Sequence, residues 1–66
     1  MDWREKISYG DIAEASRTTG IAHDTYQRSL KLPPEKWTPA MVKINKAIKD
    51  TIEEREAIRA EFINQN

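Results

Sequence analysis

A chain of 66 residues without cysteine holds one domain with a modest core that neither a disulfide nor a thiolate metal site can reinforce, which leaves self-association as a source of stability. Eleven basic and eleven acidic side chains cancel, so no strong overall field draws the chain to nucleic acid, and its short apolar stretches cannot cross a membrane. A single histidine, the lack of a glycine-rich phosphate loop and carboxylates on solvent faces of helices argue against an enzyme and against a metal or cofactor. Without a signal-peptide core after Met1, the expected location is the cytoplasm.

The first segment, Trp3 to Lys6, is long enough for one helical turn only. Ser8 is a helix cap with Asp11 three residues later in an approximate capping box, and Ile7 with Ile12 forms a hydrophobic staple, so a helix is predicted from about Tyr9 to Thr18. Thr19-Gly20-Ile21 follows as a short connection whose glycine can take positive φ and end that helix. Ile21 and Tyr26 repeat the staple around Ala22, a weak cap, and a second helix is predicted from about His23 to Lys31. Leu32-Pro33-Pro34 stops it, because proline lacks the amide donor and disfavours helical angles in its predecessor.

Thr38-Pro39 is an N-cap with the favoured first-turn proline, and Trp37 with Val42 supplies a third staple. From Pro39 to about Ile63 nothing interrupts the helix, and Met41, Ile44, Ile48, Ile52, Ile58 and Phe62 fall on one stripe. Such a helix is ~37 Å long against roughly 28 Å for a compact body of this size, so its last turns overhang. The predicted fold class is therefore all-α, a small helix-turn-helix domain at 1–52 with a C-terminal helical extension at 53–66 for dimerisation. Ile52, Arg55, Ile58, Arg59 and Phe62 are the expected dimer residues, the two arginines making a short polar contact with a partner's glutamates.

Charge is distributed unevenly. Residues 28–49 contain Arg28, Lys31, Lys36, Lys43, Lys46 and Lys49 against Glu35, whereas residues 50–66 are mainly acidic. Within the second predicted helix, Ile21, Tyr26 and Leu30 are expected inward, while His23, Asp24, Gln27, Arg28 and Lys31 point outward and can all hydrogen-bond.

Gly20-Ile21-Ala22-x-x-Thr25-Tyr26-x-x-x-Leu30, preceded by Asp11 to Thr19 and followed by Pro33-Pro34 and Trp37-Thr38-Pro39, resembles the helix-turn-helix of the lambda-repressor-like family. It also looks like the short autoregulatory repressors of phages and mobile elements, including anti-CRISPR-associated regulators. The resemblance covers about residues 8 to 50. Ser16 stands where that family usually has alanine, Ala22 replaces the customary serine cap, and the family's full first helix is missing or shrunken.

The resemblance implies a transcriptional regulator that reads double-stranded DNA as a homodimer on an inverted repeat, with base contacts from His23, Asp24, Gln27 and Arg28. A major groove admits one helix and displays a different donor and acceptor pattern for each base pair, and arginine on guanine is the commonest specific contact. Arg17, Thr18 and Thr19 at the turn are candidates for phosphate, and Lys31 is a further candidate DNA-binding residue. Asp24, four residues before Arg28, either orients that guanidinium or only answers the helix dipole. The competing expectation, favoured by zero net charge, is a protein-binding adaptor such as an antirepressor or inhibitor.

Overall fold

Three helices account for most of the chain in the computed structural model, which describes residues 3–64; both ends of the expected two-part division, 1–2 and 65–66, lie outside them. A 3-10 turn at Trp3–Lys6 leads into α1 (Tyr9–Thr19), then α2 (His23–Ser29), a second 3-10 turn at Pro34–Lys36, and the long α3 (Pro39–Asn64). No strand occurs among the described residues. The fold is all-helical with a long C-terminal helix.

Local chemistry explains each boundary. At the head of α1 the backbone N–H of Ser8 donates to Asp11 Oδ2 at 2.9 Å, the return bond of a capping box. At its end Gly20 takes φ 74° and its N–H reaches the Ser16 carbonyl at 3.0 Å, a left-handed cap that a side chain would strain. The helix runs one residue past the predicted Thr18, so the connection to α2 is residues 20–22. Thr38 caps α3, its hydroxyl accepting from the Met41 N–H at 3.3 Å, and Pro39 occupies the first helical position.

α2 is shorter than the pattern predicted. It ends at Ser29, and the amides of Lys31 and Leu32 turn to the carbonyls three residues back, at 3.1 and 3.2 Å. The indole N–H of Trp37 then donates to the Ser29 carbonyl, which also accepts from the Leu32 amide, and to the Leu32 carbonyl, at 2.9 and 3.2 Å. Ser29 occupies the inward position, its hydroxyl bonded to the Tyr26 carbonyl, and Leu30 is turned out, 52% exposed. The expectation that Leu30 anchors α2 is therefore corrected; Tyr26, 4% exposed, carries that load with the half-buried Ile21.

Ala15 from α1, Tyr26 from α2, and Ile44, Ile48 and Ile52 from α3 form the core, flanked by Ile7, Ile12, Ile21 and Ala47. Each fully buried isoleucine contributes about 1.5–3 kcal/mol of burial. The core is closed on one side by polar side chains: Asn45 Nδ2 donates to the Met41 carbonyl at 2.8 Å and to Ser29 Oγ at 3.0 Å, and Ser29 Oγ donates to the Tyr26 carbonyl at 2.6 Å. On another side Arg55 Nη1 meets the buried Asp11 carboxylate at 2.6 Å, and Nη2 donates to the Lys6 carbonyl at 3.1 Å. One side chain of α3 thus ties the first turn, the α1 cap and the long helix together.

Two dimer expectations change as a result. Ile52 is 1% exposed within the single chain, so it belongs to the core and has no surface for a second molecule. Arg55 is engaged by Asp11 of its own chain. Beyond them α3 leaves the body: Ile58, Phe62 and Ile63 are exposed, and the molecule measures 43 × 23 × 17 Å, its long dimension set by this helix.

Candidate nucleic-acid interface

The outer side of α2 is polar because its inner side is spoken for. Tyr26 and Ser29 face the core, and rotation by 100° per residue leaves Asp24, Gln27 and Arg28 outward; all three are exposed, as is Lys31 just beyond the helix. Arg28 Nε pairs with Asp24 Oδ2 at 2.8 Å. Asp24 thus touches Arg28 and also stands in the first turn of α2, so both sequence alternatives for it remain compatible with its position. Both side chains of the pair remain largely exposed. As an exposed i, i+4 pair it stabilises the helix by only about 0.3–0.5 kcal/mol.

His23 is placed differently from the expected open position. It is half-buried under the ring of Tyr9, edge to face with centroids 5.6 Å apart, and its Nε2 is buried without a hydrogen-bond partner. Tyr9 itself is 77% exposed. The aromatic ring, not the imidazole, stands at the surface, and Tyr9 is a residue that the sequence pattern did not mark. Its only signal was an aromatic at the first position of a helix, where no staple or stripe requires one.

At the turn, Thr19 serves the backbone. Its hydroxyl donates to the Ala15 carbonyl at 2.7 Å and accepts from the Ile21 N–H at 3.2 Å. Thr18 likewise donates to Ala15 at 3.3 Å. Ser16, noted as a departure from the resembled pattern, donates to the Ile21 carbonyl and so fastens the connection from the other side. Arg17 is exposed but doubly bonded to Glu14, with Nε to Oε2 at 3.2 Å and Nη2 to Oε1 closer still. The guanidinium holds the Glu14 carboxyl below its ordinary range, and the carboxylate in turn raises Arg17. A phosphate at Arg17 has to displace or share that partner.

No family model matches this chain, and no curated protein or solved structure does. The electrostatics must therefore speak for themselves. Among the described residues, ion pairs absorb much of the charge: Lys6–Glu56, Arg17–Glu14, Arg28–Asp24, Lys46–Asp50, Arg55–Asp11 and Arg59–Glu56. Among the described residues, Lys31, Lys36, Lys43 and Lys49 have no ion-pair partner, and all four come from the basic middle of the sequence. Glu53, Glu54 and Glu61, also without ion pairs, come from the second half of α3. The neutral total hides a basic stretch at 28–49 followed by an acidic one at 50–66.

Of the remaining dimer candidates, Arg59 reaches its own Glu56 at 3.7 Å while staying exposed, and Ile58 and Phe62 stand in solvent. No group of three metal-ligating side chains occurs among the described residues, and none of their helices is long and apolar enough to cross a membrane.

Proposed function

We propose that this protein is a sequence-specific DNA-binding regulator, a repressor that acts as a homodimer by presenting α2 to the major groove of an inverted repeat. The observation that carries the reading is α2 itself: Tyr26 and Ser29 hold one side in the core while Asp24, Gln27, Arg28 and Lys31 project from the other. Gly20 sets a short connection behind it, and the unpaired lysines lie on neighbouring segments of the chain. In this reading Asp24 aims Arg28 at guanine, Gln27 contributes a second amide-type contact, and Lys31 neutralises phosphate. Arg17 reaches phosphate by exchanging Glu14 for it. His23 contributes through Tyr9, which covers it.

Selection from random duplex oligonucleotides with the purified chain tests this. Recovery of an inverted repeat with half-site centres one helical turn or a multiple apart, bound with a steep inverse dependence on salt, is the expected outcome. Arg28→Ala should lose preference at one base position, by about 1–3 kcal/mol, and keep the fold. Unchanged selectivity in that variant sinks the assignment of α2.

One observation favours a second reading. Leu30 and Leu32 are exposed at the end of α2, an apolar pair beside the polar ridge that suits a protein partner better than a phosphate backbone. A protein-binding adaptor would show no binding to DNA at low salt.

A further inference from the structure

Where the two 3-10 turns meet α3 the surface carries a concavity of about 340 Å³, walled by Pro34, Trp37 and Val42 and, further along α3, by Lys49. Its apolar side extends past the rim. Val42 is 50% exposed, and Leu32, whose carbonyl accepts from the Trp37 indole N–H at 3.2 Å, is exposed as well. Apolar side chains gathered around an indole gain by leaving water, and a volume at the small end of the ligand-pocket range suits one or two large side chains.

The charges at the concavity are of one sign. Arg4, Lys46 and Lys49 line it and no carboxylate does. Two of these cations are already engaged, Arg4 with its guanidinium carbon 5.9 Å from the Trp37 ring centroid and Lys46 with Asp50. Lys49 is exposed and has no ion-pair partner among the described residues, and the same holds for Lys36, which shares a 3-10 turn with Pro34. Val42 and Lys49 lie two turns apart on the same side of α3, so the open ammonium is rooted ~10 Å along the axis from the apolar wall.

We infer that this face docks an acidic amphipathic helix of another protein, an apolar side chain entering the concavity against Trp37 and Val42 and a carboxylate two turns along meeting Lys49. The inference goes beyond the reading of α2 and does not depend on it, because no residue of the polar ridge takes part. A phosphate backbone would satisfy Lys49 but leave Leu32 and Val42 against a charged, hydrated strand, with no apolar surface removed from water. An apolar partner without charge would bury the ammonium's surroundings and give it no counterpart. A helix with an apolar anchor and an acid two turns away presents both on one side, at the spacing of Val42 and Lys49.

Titration of the full chain with synthetic peptides, read at the Trp37 indole N–H in proton–nitrogen correlation spectra, tests this. The probe is an alanine-based helical peptide with a phenylalanine anchor and a glutamate two turns later; two counterparts replace the glutamate by glutamine and the phenylalanine by alanine. The expected result is saturable shifts at the Trp37 indole and at the Val42 and Lys49 amides, affinity lowered about two- to fivefold by the glutamine peptide, and no saturation with the alanine one. Lys49→Gln should reproduce the loss seen with the glutamine peptide, and the two changes together should add little to either alone. Val42→Glu, at an exposed position, should abolish saturation while the helical spectrum is unchanged. Equal binding of the glutamate and glutamine peptides, or shifts confined to α2 or the last turns of α3, overturns the assignment. So does a peptide without effect in a chain whose Lys49→Gln variant loses affinity for duplex DNA, which gives the face to nucleic acid. Shifts of the same resonances with protein concentration alone give it to a second copy of this chain.

Discussion

At Arg55 a single side chain does what no local motif could. Its guanidinium satisfies a carboxylate that is nearly out of solvent and a carbonyl of the first turn, and the hydrogen bond from Arg55 is the main reason Asp11 is held below its ordinary value, with the Ser8 amide adding to it and burial opposing. The sign of the pH dependence follows. A depressed folded-state value means that the stabilisation is complete above the unfolded value of about 3.9 and is lost as pH falls through the lower folded-state value. Acid titration of the helical signal should show stability declining below about pH 4, and Asp11→Asn should flatten that decline. Arg55→Ala strands the carboxylate and should lower the urea unfolding midpoint at neutral pH. An equal acid sensitivity in that variant would contradict the role given to the pair.

At the scale of elements, the connection between α1 and α2 is built from small polar groups around one unusual backbone. Gly20 has φ 74°, and an added Cβ would meet nothing within 4 Å, so substitution there costs only the left-handed conformation. Gly20→Ala should lower stability by about 1–2 kcal/mol in chemical unfolding, and Gly20→Asn by less, because asparagine tolerates this region. Ser16 and Thr19 fasten the same connection from either side, which is why an alanine in the resembled pattern can be a serine here. α2 depends on that fastening. With only seven residues and no side-chain cap at Ala22, it has little stability of its own and takes its position from Tyr26, Ser29 and the indole of Trp37.

For the whole molecule, α3 is both spine and extension. Its first half carries the core and its last turns carry exposed apolar side chains, so the point of truncation decides what is lost. Ending the chain after Ala57 keeps Ile52 and Arg55 and removes Ile58 and Phe62; the expected outcome is a folded monomer in sedimentation, with weaker binding to a two-half-site duplex. Ending it after Thr51 removes a core isoleucine and the Asp11 partner as well, and the helical signal itself should melt at much lower temperature. If both truncations behave alike, the division of labour along α3 is wrong.

Caps, breaks and stripes were readable from residues alone because they act over one helical turn: Ser8 with Asp11, Gly20, Pro33-Pro34 and Thr38-Pro39 each choose a backbone conformation within reach of their own side chains. The sequence by itself therefore determined three helices, their starts, and the inward course of Ile44, Ile48 and Ile52 along α3. Tertiary structure decided the rest. Asp11 and Arg55 are 44 residues apart and meet only when α1 lies on α3. Leu30 is exposed where Ser29 is buried, His23 packs against Tyr9, and Ile52 belongs to the core of its own chain. The physical reason is one of range: periodicity and capping follow from bonds along the chain, but which side of a short helix stays dry depends on surfaces that only packing brings together.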